Sequence, residues 1–151
     1  MPRSATLSPS MACTCGRLRR AARALTQLYD EAMAPSGLRV TQFSLLRTLS
    51  RDGPRGISDL AEALLLDRTA LSRNLDPLVA RNLVKVSPGR DGRTREVALT
   101  GQGEAALKEA LPYWKKAQRH VSRELGVPRI DALIETLTAV ESLHPGSRDS
   151  R

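Results

Sequence analysis

The spacing of apolar residues changes period at Leu83, and this change restricts the fold more than any other feature of the chain. Leu71, Leu75, Leu78 and Val79 recur at helical intervals, whereas Val84 and Val86, then Val97 and Leu99, alternate like residues along strands. The stretch between the two alternating runs, SPGRDGRT, is rich in turn residues and predicts a β-hairpin. Apolar spacing elsewhere is helical. Aromatic residues make up 3% of the chain against 40% hydrophobic residues overall, so the core is expected to consist of Leu, Ala and Val, which favours helices. A mainly α fold with a small β element follows.

On the N-terminal side, Leu18, Ala22, Leu25, Tyr29 and Ala32 fall at alternating steps of four and three between about Thr14 and Ala34. Such a seam calls for a partner helix. Pro35 and Gly37 break it, and Thr41 is expected to cap a second helix carrying Phe43, Leu45, Leu46 and Leu49. ISDLAEALLL restarts the pattern for about two turns, with Ser58 expected at the N-cap and Asp59 where a negative charge suits the helix dipole. Asp67 then opens RTALSRNLDPLVARNLV after a tight turn. Beyond the hairpin, Thr100 caps a long pattern from about Gly103 to Leu125, which Pro112 is expected to kink because it cannot bond the Lys108 carbonyl. Pro128 suits the start of a last helix carrying Ile130, Leu133, Ile134, Leu137 and Val140. Residues 1–12 read as a disordered leader and 144–151 as a flexible tail.

A formal charge of +8 raises the local concentration of polyanions, either nucleic acid or an anionic membrane. No apolar run has the length of a membrane span and the N-terminus lacks a signal-peptide core, so a cytoplasmic location with no membrane partner is expected. A chain of 151 residues suffices for one domain, with or without an appended oligomerisation element.

The order short helix, tight turn, second helix, charged hairpin is that of a winged helix-turn-helix. Recognition helices present their N-terminal residues to base edges, which here selects Arg68, Thr69, Ser72, Arg73 and Asn74. At the hairpin tip, Arg90 and Arg93 suit a narrow, electronegative minor groove, and Asp91 is expected to hold the Arg93 guanidinium in one rotamer. Leu65 stands where such a turn often has glycine, so the turn either avoids positive φ or is strained. Pro77 is expected to bend the recognition helix. The alternative for each polar group is a solvated face or hairpin tip.

DGRTREVALTGQGEAAL closely resembles the wing signature of the MarR (multiple antibiotic resistance regulator) family, and LAEALLLDRTALSRNLDPLVARNLV resembles its helix-turn-helix. The resemblance spans roughly Arg17 to Leu143. It implies one domain over 13–143, with the winged helix at about 38–100 and dimerisation helices at about 13–34 and 101–143. It also implies a homodimeric repressor on a pseudo-palindromic operator in double-stranded DNA, released by a small aromatic ligand or an oxidant. A winged-helix adaptor that binds protein instead of DNA is the alternative.

Cys13 and Cys15 stand near a helix start with Arg17 following, which admits a thiol sensor or a soft-metal ligand pair. Positions i and i+2 of a helix point apart, and two ligands do not fill a tetrahedral site, so inert thiols are the other reading. Arg17, Arg19, Arg20 and Arg23 form either a solvated face or an auxiliary phosphate contact. His120 and His144 show no partner at ligand spacing, and the sequence carries no G-x-S-x-G, P-loop or metal motif. No metal, no cofactor and no catalysis are expected.

Overall fold

A computed structural model of the chain describes residues 13–148, so the expected leader over 1–12 and residues 149–151 of the expected tail lie outside the described residues. The elements run α1 (Thr14–Met33), α2 (Val40–Asp52), β1 (Arg55–Gly56), α3 (Ile57–Ala63), α4 (Arg68–Ala80), β2 (Val84–Pro88), β3 (Arg95–Leu99), α5 (Gly101–Leu125) and α6 (Val127–Glu141). Short 3-10 turns follow α1 at Ala34–Ser36 and α6 at Pro145–Arg148. The chain divides between Trp114 and Lys115 into two compact units.

In the N-terminal unit the expected helices form, but two of their starts differ. Arg39, not Thr41, occupies the N-cap of α2 in extended backbone. Its N–H donates to Gln42 Oε1 at 3.0 Å, and the Val40 N–H donates to Asp30 Oδ1 of α1 at 2.8 Å. Free amide donors at a helix start need acceptors, and here a carboxylate from the preceding helix serves one of them. Gly56, not Ser58, precedes α3, because Gly56 still pairs with Glu96 as the end of β1 and the chain passes from strand directly into helix. Two other caps stand as expected: Asp67 Oδ1 accepts the Ala70 N–H at 2.7 Å, and Thr100 Oγ1 accepts the Gly103 N–H at 3.0 Å.

The strands form an antiparallel sheet in the order β1-β3-β2. Val84 pairs with Leu99 and Val86 with Val97, a register that keeps the alternating apolar residues on one face. Strand β1 was not expected; at Arg55–Gly56 it is too short to show any alternation. Beneath the sheet and helices lies a core containing Met33, Phe43, Leu45, Leu46, Leu60, Leu71, Leu78 and Val97, each at most 1% exposed. Phe43 stacks on Trp114 with ring centroids 5.7 Å apart, and the Arg47 guanidinium lies 4.6 Å from the Trp114 ring centroid.

Gly103 explains why the wing motif ends in glycine. A Cβ there would overlap the Leu83 carbonyl, a backbone atom that cannot swing aside as a flexible side chain does. The same corner is tied by Thr100, whose N–H donates to Leu83 O at 3.1 Å and whose hydroxyl donates to Asn82 O at 2.7 Å. Helix α5 thereby starts hard against the end of α4.

Helix α5 remains one helix through Pro112, which is exposed on it. In the C-terminal unit Ala117 and Val121 are buried, whereas α6 has no buried residue. Leu133 is 37% and Ile134 56% exposed, while Ile130, Leu137 and Val140 are half-buried, so the apolar stripe of α6 is only partly covered among the described residues.

Candidate nucleic-acid interface

Two helices joined by a minimal turn build one side of the candidate surface. Helix α3 closes through a left-handed residue: the Leu65 N–H donates to Glu62 O at 3.0 Å, and the Leu66 N–H reaches back to Ala61 O at 2.8 Å. Leu65 has φ 51°, so of the two alternatives the turn adopts positive φ and carries the strain. Asp67 then caps α4 at once. Leu71, Leu75 and Leu78 are buried on the inner side of that helix, which leaves Arg68, Thr69, Ser72 and Arg73 exposed on the outer side.

Asn74 is placed differently from the other four. It is half-buried, and its Nδ2 donates back to Ala70 O at 3.2 Å within the same helix. Pro77, also exposed, lies beyond the outward-facing polar turns, and α4 runs unbroken to Ala80.

The wing loop supplies the other side. Gly89 N–H donates to Thr94 O at 2.6 Å, Gly92 N–H to Gly89 O at 3.0 Å, and Gly92 takes φ 71°. Asp91 corrects the expectation made for it: its Oδ1 accepts the backbone N–H of Arg93 (3.0 Å), the backbone N–H of Thr94 (3.2 Å) and the Thr94 hydroxyl (3.0 Å). The carboxylate therefore holds the loop backbone and not the Arg93 guanidinium, because the amides two and three residues on lie within reach of a short side chain. Hydrogen bonds from the Thr94 and Arg93 amides hold the Asp91 carboxyl below the usual carboxylate range. Arg90 and Arg93 are both exposed.

The two sides meet in a hollow of about 350 Å³ lined by Ser58, Asp59, Arg68, Arg93, Thr94 and Arg95 among others. Arg68 from α4 and Arg93 from the hairpin loop thus share one concavity, and Arg68 Nη2 lies 3.4 Å from Ser58 Oγ. Ser58 and Arg95 are the candidates that sequence reasoning missed. Arg95 heads the alternating run of β3, and Ser58 was assigned a cap's role, so neither carried a signal of its own. Arg90 does not line the hollow. A neighbouring hollow of about 520 Å³ is bordered by Asp59, Glu62 and Glu96 with Arg55, a mostly acidic rim unsuited to phosphate.

At the start of the described residues, Cys13 is the N-cap of α1 and its Sγ accepts the Gly16 N–H at 3.4 Å. Both cysteines are exposed free thiols. His120 has a carboxylate that sequence reasoning passed over, Glu124, one turn away at 4.0 Å. No cluster of three or more metal-ligating side chains occurs among the described residues.

The family model described as the MarR family matches residues 36–94, the helix-turn-helix and most of the wing. The structure of the transcriptional regulator MosR from M. tuberculosis in complex with DNA is 41% identical, covering 88% of this chain and 99% of that one, with a TM-score of 0.76. The chain belongs to the MarR family. Its winged helix is the MarR-family fold: mostly helical, with the small antiparallel sheet carrying the wing. A mutant of E. coli MarR complexed with operator DNA shares that fold at 24% identity, with a TM-score of 0.74 over 83% of this chain and 91% of that one. An uncharacterized HTH-type transcriptional regulator of Bacillus cereus is 32% identical over 96 residues. That match spans 64% of this MarR-family chain and 64% of the relative's length. No helix among the described residues is long and apolar enough to cross a membrane.

Proposed function

We propose that the chain is a sequence-specific, DNA-binding transcriptional regulator, a cytoplasmic homodimer that represses its operator and has no enzymatic activity. The observation that carries this reading is the shared hollow, in which Arg68 of the recognition helix and Arg93 of the wing face one concavity with Arg95 and Ser58 beside them. A recognition helix in the major groove and a wing beside it would present both sets to one stretch of duplex. Arg68, Thr69, Ser72 and Arg73 face outward to read bases or hold phosphates. Arg90 and Arg93 reach for the minor groove while Asp91 shapes the loop. The DNA-bound state of MosR, at 41% identity, supports the same assignment.

Dimerisation is supported by the apolar residues of α6, of which Ile134 is 56% and Val127 60% exposed among the described residues. A second copy covering this stripe gives a two-fold particle and hence a pseudo-palindromic operator. Release from DNA is assigned to a small aromatic ligand or to oxidation of Cys13 and Cys15. Support for the thiol route is that Cys13 Sγ caps α1 by accepting the Gly16 N–H, so an oxidant that adds oxygen to this sulfur changes the size and charge of the cap at the start of a dimerisation helix.

Selection of bound duplexes from a random pool, with reduced and with oxidised protein, tests the reading. An enriched two-fold motif that is lost on oxidation is expected. In the same assay Arg93→Ala should weaken binding by about 1–3 kcal/mol while leaving the dimer intact. A pool that emerges without sequence enrichment would defeat the assignment.

A further inference from the structure

Recognition helix α4 is anchored at both ends, and the far anchor has no part in the surface proposed above. Arg81 is the C-cap of α4. The closure after it is tight: Asn82, at φ 55°, donates its N–H to Val79 O at 2.9 Å, and the Leu83 N–H donates to Leu78 O at 2.9 Å. From this fixed backbone the Arg81 side chain reaches across 44 residues of sequence, and Nη1 donates to Gly37 O at 2.8 Å.

Gly37 is itself part of a rigid corner at the end of α1. It takes φ 72° and its N–H donates to Ala34 O at 3.0 Å. Ser36 Oγ donates to Met33 O at 2.7 Å and accepts the Leu38 N–H at 3.2 Å, while Met33 and Leu38 are 0% and 2% exposed. The approach is close, since a Cβ on Gly37 would lie 3.4 Å from Arg81 Nη2.

We propose that Arg81 is a positioning residue for DNA reading: its bond to the Gly37 carbonyl fixes the tilt of α4 from the corner that ends α1. The inference rests on the outward face of α4 being the DNA-reading surface. With α4 held at its middle by buried Leu75, roughly 10 Å from the first turn at 1.5 Å per residue, a tilt of about five degrees on release of the Arg81 end moves Arg68 and Thr69 by about 1 Å. Base contacts are sensitive to such a shift, whereas a non-specific phosphate grip is not.

The test measures full-length wild type, Arg81→Met, Arg81→Lys and Arg93→Ala on a duplex selected for wild-type binding and on a scrambled duplex of equal length, over a range of salt. Arg81→Met should lose about tenfold in affinity for the selected duplex, with its affinity for the scrambled duplex and its salt slope unchanged. Arg81→Lys retains a donor and should recover most of the loss; it also gives the same test at smaller amplitude should the Met variant fail to fold. Equal loss on both duplexes, with the salt slope lowered by about 0.9 for each contact removed, would make Arg81 a phosphate ligand and overturn the proposal. Wild-type binding by Arg81→Met would overturn it too. If Arg93→Ala binds the selected duplex as wild type does, the DNA surface itself is misassigned, a failure separate from that of Arg81.

Discussion

Leu65 and Asn82 occupy equivalent positions, each the left-handed residue that closes one helix of the helix-turn-helix, yet only one of them suits the task. Asparagine enters that region more readily than most residues, while a leucine side chain crowds its own backbone there. Leu65 is also 47% exposed, so its side chain recovers little through burial. Leu65→Gly should therefore stabilise the fold by about 0.5–1 kcal/mol, the relief of strain exceeding the added entropy of the unfolded chain. Chemical denaturation checks this, and a lowered midpoint would show that the Leu65 side chain supports the turn. Strain was one of two outcomes the sequence left open, since it places leucine where such a turn often has glycine. The Arg81 bond was not, because no local pattern reports a contact spanning 44 residues.

At the scale of elements, the wing depends on one carboxylate. Asp91 Oδ1 accepts three donors, and Asp91→Ala removes them all, whereas Asp91→Asn retains an oxygen without its charge. Trypsin should cut at Arg90 and Arg93 fastest in Asp91→Ala, more slowly in Asp91→Asn and slowest in wild type. Equal rates in all three would show that the glycine turn alone holds the loop. The pH dependence has a definite sign. Because the folded pKa is depressed, loop order is fully present above the unfolded value of about 3.9 and is lost as pH falls through the lower folded value. Exchange protection of the Arg93 and Thr94 amides should accordingly stay constant from neutrality down to about pH 5 and fall only in stronger acid. Protection that declined between about pH 7 and 5 would implicate a different group. Much at this scale was legible, namely the hairpin and the Asp67 and Thr100 caps, since period and capping act over a few residues. Strand β1 was not, because Arg55–Gly56 is held by its pairing with β3 and not by a pattern of its own.

For the whole molecule, a surplus of positive charge becomes a binding surface only where folding gathers it. Arg68 and Arg93 were each legible as candidates, but the hollow that joins them to Ser58 and Arg95 is a product of tertiary structure. A dimer neutralising six to ten phosphates should lose about 10³–10⁵ in duplex affinity between 50 and 200 mM salt. Fluorescence anisotropy titrations measure this, and a nearly flat salt dependence would contradict binding through these arginines. Trp114 is the chain's one tryptophan. Its indole meets both the Phe43 ring and the Arg47 guanidinium, linking α5 to α2, so the protein contains an intrinsic optical gauge of that junction. Its emission can follow rearrangement beside the winged helix in real time, without an attached dye.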